Sequence, residues 1–305
     1  MASDALYQAE RMGDWGVSAA APGGSYGEET MRLPDGTDLF LRAWRAADAS
    51  APVLLFFHGL GAHTGWFIDM GNQLAGRGLN VYMDDHRGFG RSGGPRGHTR
   101  NGQVYLDDLT ALLDEVRRRQ PGAPVFVAGH SMGGIFAVHL AAADARMRRG
   151  QIQGLILLNP WVKDVVKVPV TAVLPGIVGG MFGSSKPFPL KPNTAIMTTN
   201  PEATQLLRAD SRWVSQQSKS FLVQLLRLRG SFLKQARQVT APALVIQSEA
   251  DKSVSKAATR QAYDALGSTD KTWKTYPGFA HDFEFEPERA ALDTDLADWI
   301  VRHRA

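Results

Sequence analysis

The 305-residue chain has no cysteine. That excludes disulfides, thiolate metal sites and a cysteine nucleophile, and it fits a reducing compartment. Long apolar runs are also missing. The most apolar stretch, Val165 to Phe182, is interrupted by Lys167, Pro169, Pro175 and several glycines, so it makes a poor membrane-spanning helix. Met1 to Gly16 has no apolar core of the kind a secretory signal needs. The expected location is therefore the cytoplasm. No internal repeat or low-complexity tract is visible, and no nucleic-acid-binding motif. The charge is close to balanced, with 34 Lys and Arg against 30 Asp and Glu, but unevenly spread. Residues 160–237 are strongly basic and the remainder is acidic. A basic segment inside an acidic protein suggests an insert with its own surface, either a solvated face or one that meets an anionic lipid or substrate.

What the chain does have is Gly129-His130-Ser131-Met132-Gly133-Gly134. The apolar run Pro124 to Ala128 precedes it, and a helical pattern, Ile135 to Ala145, follows. This is G-x-S-x-G in a strand–turn–helix setting, which lifts a serine hydroxyl to the end of a sheet. Glycines on both sides let backbone and helix approach closely. Ser131 is the candidate nucleophile.

The rest of the chain alternates strands and helices. Glu28–Leu33 and Asp38–Arg45 read as a hairpin, and Ala51–Phe57, Asn80–Met83, Pro124–Ala128 and Ile152–Leu158 as buried strands. Tyr105–Arg119 reads as an amphipathic helix. After Asn159-Pro160 the alternation breaks, with a long helix expected over Trp213–Arg237, and it resumes at Ala243–Gln247, Ala257–Leu266, Thr272–Tyr276 and Arg289–Arg302. The pattern predicts an α/β fold: a mostly parallel central sheet flanked by helices, with an inserted helical cap. The expected division is an arm, 1–25, a core, 26–159 plus 238–305, and a cap, 160–237, over the C-terminal strand ends where α/β sheets bind ligands.

A serine hydroxyl needs a base, and the base needs an acid to orient it. After Ser131 the chain contains only His139, His281 and His303. His139 lies two turns into the helix behind the serine and His303 in the last helix. His281 follows a strand, on the loop Pro277-Gly-Phe-Ala-His281, and is the candidate base. Asp251 follows the strand Leu244–Gln247, one strand–helix–strand unit earlier, and is the candidate acid. Its rivals are Asp264, on a helix, and Asp282, beside the base, and Asp251 could also simply cap a helix. The backbone N–H groups of Met132, at a helix start, and of Leu60, between Gly59 and Gly61 after a buried strand, suit an oxyanion hole. Gly59, Trp161, Phe182 and Phe188 are candidate substrate contacts, the aromatic ones as walls of an acyl tunnel, although aromatics in a cap more often form its core. His58 and His63 lack a third ligand at sensible spacing, and no metal is expected.

These pieces resemble the α/β-hydrolase superfamily, and within it the monoacylglycerol lipases and lysophospholipase-like serine hydrolases. The resemblance is carried, in family order, by His58-Gly-Leu-Gly-Ala-His-Thr-Gly65, Asp85-His-Arg-Gly-Phe-Gly-Arg-Ser92, Pro95-Arg-Gly97, Gly129-His-Ser-Met-Gly133, Ala250-Asp251 and Pro277-Gly-Phe-Ala-His281. It implies hydrolysis of a small acyl ester or a monoacylglycerol, without a cofactor. The apolar segment Val170–Phe182 in the basic cap separately suggests a mobile lid in peripheral contact with lipid, the alternative being that it packs inward as a tunnel wall. The chain departs from the family at Ala62 and Trp66, where Glu and Arg are frequent, and at Ser248, where glycine is common. An aminopeptidase, amidase or acyltransferase using the same three residues is the alternative. A peptidase of this kind needs a cap carboxylate for the free amine, and only Asp164, Glu202 and Asp210 are available. A non-catalytic binding protein on the same fold is disfavoured, because all three residues and the oxyanion glycines are present.

Overall fold

The computed structural model describes residues 24–48, 50–165, 170–188 and 193–305. The expected arm falls outside these residues, apart from Gly24 and Ser25. Eight strands form one sheet: β1 (Ser25–Arg32), β2 (Asp38–Arg45), β3 (Val53–Phe57), β4 (Asn80–Asp84), β5 (Val125–His130), β6 (Gly154–Leu158), β7 (Ala243–Ser248) and β8 (Lys271–Tyr276). Their spatial order is β1-β2-β4-β3-β5-β6-β7-β8. The pairings of β1 with β2 and of β2 with β4 are antiparallel, and the others are parallel. The sheet is therefore mostly parallel, as the alternating pattern predicts.

The described helices are α1 (Ile68–Ala75), α2 (Gln103–Arg119), α3 (Met132–Met147), α4 (Val170–Met181), α5 (Pro201–Ala209), α6 (Lys219–Gly230), α7 (Phe232–Ala236), α8 (Lys256–Ala265) and α9 (Ala290–Arg302). The central strands show no polar alternation because both of their faces are covered. Val53, Leu55 and Phe57 of β3 face the core beneath α2, α3 and α6, whereas Leu54 and Phe56 face the one beneath α1 and α9. Each fully buried side chain of this size contributes about 1.5–3 kcal/mol.

Helices α4 to α7 occupy the interval between β6 and β7, where the alternation breaks. The single long helix expected over Trp213–Arg237 is not formed. Trp213–Gln217 is irregular, and Ser218 caps α6 by accepting from the Phe221 N–H. The helix then breaks at Gly230-Ser231 before α7. Glycine is a poor helix interior residue, and the Leu228 carbonyl is taken by the Ser231 hydroxyl. Helix α5 was not expected, although Asn200 caps it and Pro201 sits at its first turn, which is a legible start signal. The start of the interval is pinned to the core. Val165 N–H donates to Ser253 O at 3.0 Å, and Ser255 N–H to Lys163 O at 2.8 Å. Farther along, Val214 N–H donates to Gly61 O at 3.0 Å and Ser218 N–H to Gly97 O at 2.9 Å. Among the described residues, no helix is long and apolar enough to cross a membrane.

Candidate active site

Ser131 stands between the end of β5 and the start of α3 with φ 52° and ψ −111°. A residue with a side chain rarely adopts this backbone, and the surroundings must hold it there. They do so by close approach. A Cβ on Gly129 would lie 2.1 Å from Gly133 O, and one on Gly133 would lie 2.1 Å from Phe57 O. The serine is also tied to the end of β6: its N–H donates to Leu158 O at 3.0 Å, and its carbonyl accepts from Trp161 N–H at 3.0 Å.

The structure brings Ser131, His281 and Asp251 together. His281 Nε2 lies 2.9 Å from Ser131 Oγ, and His281 Nδ1 lies 2.8 Å from Asp251 Oδ2. With the imidazole neutral, the serine O–H donates to Nε2 and the Nδ1–H donates to the carboxylate. Asp251 is fixed by its own loop, its Oδ1 accepting from Ser253 N–H at 2.7 Å and Val254 N–H at 3.0 Å. Burial disfavours its charge, but His281 and these two N–H groups outweigh it and lower the pKa. Burial also disfavours a charged His281, yet the charge of Asp251, its hydrogen bond and nearby Asp282 raise that pKa above its ordinary value. The rivals lie elsewhere: Asp264 pairs with Arg260 on the surface, and Asp282 contacts the other side of the histidine pair.

Met132 is the first residue of α3, where N–H groups have no partner within the helix. Leu60 is held in the turn closed by Ala62 N–H to Gly59 O, and Gly61 supplies its positive φ of 80°. Gly59 lies against the nucleophile, since a Cβ there would be 3.4 Å from Ser131 Cβ. Trp161 adjoins Ser131 through its backbone, while its indole N–H donates to Asp164 and Arg229 stacks over its ring. The other two expected tunnel residues are placed differently. Phe182 is 85% exposed after the end of α4, so it walls no enclosed tunnel. Phe188 is buried against Gly176 of α4, as part of the packing of the interval itself.

Two features of this corner escaped the sequence. Asp210, before the irregular segment, accepts at Oδ2 from Trp66 Nε1 at 2.7 Å and from His63 Nε2 at 2.8 Å. His63 Nδ1 accepts from Gly65 N–H at 3.1 Å, which fixes the proton on Nε2. The loop after β3 is thus fastened to the interval, and 147 residues separate the two partners, a distance no local motif spans. The second feature is a buried polar cluster behind His281. His130 Nε2 donates to His281 O at 3.0 Å, while its Nδ1 has no partner among the described residues. Burial and His281 push its pKa down to about 3, so the ring is neutral. Among the described residues, one oxygen of Asp282 and both of Glu284 also lack hydrogen-bond partners. Burial pushes Asp282 up to about 7, and burial with the charges of Asp282 and Glu286 drives Glu284 well up.

His130, His281 and Asp282 place ligand atoms within 4.8 Å of one another, but His281 spends both nitrogens on Ser131 and Asp251. His58 and His63 are engaged in hydrogen bonds, His58 Nε2 accepting from His86 N–H and His63 Nδ1 from Gly65 N–H. A cavity of about 350 Å³ lies to one side, between α1, α5 and the loop before α9, lined by Trp66, Asp69, Glu202, Phe285, Glu286 and Arg289 among others. Ser131, His281 and Asp251 do not line it.

A family model described as serine aminopeptidase, S33, matches residues 48–288. The chain belongs to that hydrolase family. Within the wider α/β-hydrolase fold, its curated relatives include a monoacylglycerol lipase of Mycolicibacterium smegmatis, 29% identical over 269 residues that cover 88% of this chain and 94% of the relative. The human monoglyceride lipase is 30% identical over 258 residues, 81% of this chain and 80% of the relative. A solved structure of a soluble variant of Saccharomyces cerevisiae monoglyceride lipase with a substrate analogue superposes with a TM-score of 0.79, at 19% identity, covering 94% of this chain and 97% of the other. At that identity it speaks for the fold. As a member of the family with relatives of this kind, the chain is an enzyme of the lipase-like serine-esterase class.

Proposed function

We propose that this hydrolase cleaves monoacylglycerols and related single-chain acyl esters through an acyl-enzyme on Ser131. The observation that carries the reading is the unbroken hydrogen-bond chain from Ser131 Oγ through His281 to Asp251. Ser131 Oγ attacks the ester carbonyl carbon as its proton passes to His281 Nε2. The carbonyl oxygen becomes an oxyanion between the Leu60 and Met132 N–H groups, each contributing about 3 kcal/mol to the transition state. The C–O bond to the alcohol breaks, and His281 returns the proton to the leaving oxygen. Water then attacks the acyl carbon and gives its proton to His281; the acyl C–Oγ bond breaks, His281 returns that proton to Ser131 Oγ, and the carboxylic acid leaves. Asp251 holds the imidazole tautomer and stabilises its charged form.

The interval 160–237 is the proposed cap. In and just after α4, Leu174, Val178, Met181 and Phe182 expose an apolar stripe at helical spacing, within an interval that holds 11 Lys and Arg against 3 Asp and Glu. That combination suits contact with an anionic lipid surface. A fluorophosphonate should label wild type but not Ser131→Ala, and a series of p-nitrophenyl esters with monoacylglycerols alongside reads the chain length. A rate maximum at two to four carbons would overturn the lipid substrate and leave the mechanism standing. Binding of anionic vesicles at low salt tests the surface contact.

The family description favours one second reading, an aminopeptidase. Of the three acidic residues in the interval, Asp164 is engaged by Trp161 and Arg229, and Asp210 by His63 and Trp66. Glu202 remains, on the wall of the side cavity. Faster turnover of aminoacyl amides than of acyl esters would favour the peptidase, and loss of that turnover in Glu202→Gln would assign the amine contact.

A further inference from the structure

Among the described residues, three that are not glycine have positive φ: Ser131, Arg148 and Asn159. Ser131 is the nucleophile turn. Arg148 ends α3 in the left-handed form common after helices. Asn159, at φ 41°, follows β6 directly and ends no helix. Asparagine tolerates such a backbone better than most residues, but the conformation still has a cost that its surroundings must offset.

The surroundings of its side chain account for the position. Asn159 is 1% exposed, and each carboxamide atom is used. Oδ1 accepts from Ser248 N–H at 2.7 Å, and Nδ2 donates to Ser248 Oγ at 2.9 Å and to His281 O at 2.7 Å. Its own N–H donates to Ile246 O at 2.9 Å. Ser248 ends β7, three residues before Asp251. The preceding residue, Leu158, accepts from Ser131 N–H. One amide therefore sits where the loops of nucleophile, acid and base meet.

We propose that Asn159 is a positioning residue for the base: it ties the His281 backbone carbonyl to the end of β7 and so sets the imidazole between Ser131 Oγ and Asp251. This rests on the assignment of Ser131, His281 and Asp251 made above. It also gives a reason for Ser248, whose hydroxyl supplies an acceptor that glycine at that position would lack. His130 donates to the same carbonyl from the other side, so His281 O is held by two donors.

The test is steady-state kinetics on a soluble p-nitrophenyl ester, with thermal denaturation alongside. Asn159→Gly accepts the positive φ without strain and removes only the amide. We expect kcat to fall on the order of 100-fold, as for a misplaced catalytic group, while KM moves less than about threefold. The acid limb of the kcat/KM profile should shift to lower pH. The groups facing His281 are Asp251 from the β7 loop, adjacent Asp282 and neutral His130, and a looser Asp251 contact raises the imidazole pKa less. Should the glycine variant fail to fold, Asn159→Asp decides: it keeps size and the acceptor for Ser248 N–H but loses both donors, and its kcat should fall similarly. Either folded variant retaining wild-type kcat overturns the proposal. Full activity in Ser131→Ala would instead remove the assignment on which it rests.

Discussion

The loops at the end of the sheet and the interval between β6 and β7 follow different physical rules. In the loops, position is set by directional contacts. Ser131, Asp251, His281 and Asn159 are buried or nearly so, and hydrogen bonds of 2.7–3.0 Å fix them. The interval is held at its attachment points, near Val165, Asp210, Val214 and Ser218, while α4 presents Leu174, Val178 and Met181 to solvent. A group that moves protons has to be held within tenths of an ångström, whereas a surface proposed to meet lipid needs only apolar area. The proposed chemistry therefore sits where contacts are directional, and the proposed lipid contact where apolar area is exposed.

The comparison can be tested from its strong end. Ser131→Ala should lower kcat on the order of 10⁶-fold while leaving the denaturation midpoint near wild type. Rapid esterase activity in a clean preparation would place the chemistry elsewhere. Asp251→Asn should cost about 10⁴-fold, because the amide favours the wrong imidazole tautomer. The pH profile follows from the same pair. His281 must be neutral to accept the serine proton, so kcat/KM should rise with pH through a pKa above the ordinary ~6.5. A midpoint at or below that value contradicts the pairing. Asp210→Ala sits at the border between the two regions. It removes the buried carboxylate to which His63 and Trp66 both donate, at about 1–3 kcal/mol, visible in urea denaturation. The smallest effect belongs to the exposed end: Phe182→Ser should leave stability and turnover of a soluble ester unchanged but weaken sedimentation with anionic vesicles. Equal vesicle binding would leave the stripe without a role.

The same contrast explains what could be read from the chain. Ser131 was legible because its turn demands Gly129 and Gly133 at fixed offsets. His281 and Asp251 were legible because chain order and strand-ending loops left few rivals. The strands followed from their uninterrupted apolar runs. Asn159 was read only as the end of a strand: its three contacts reach Ser248 and His281, far along the chain, and a lone Asn-Pro carries no trace of them. The Asp210 fastening was hidden for the same reason. In the interval, periodicity ran on through Gly230-Ser231 and suggested one helix where there are two. Phe182 was read as a tunnel wall, and the chain instead leaves it exposed after the end of α4, which no local pattern in the sequence signals.

The buried carboxyls behind His281 give this corner a second dependence on protons. Asp282 and Glu284 are pushed above the ordinary carboxyl range, so the folded chain holds protons there that the unfolded chain has released. Their contribution to stability is complete at low pH and is lost as pH rises through the folded values, near 7 for Asp282. The raised pKa of His281 acts in the same direction. Alkalinity thus frees the base for work while loosening the ground it stands on, so the pH of greatest durability should lie on the acid side of the pH of fastest turnover.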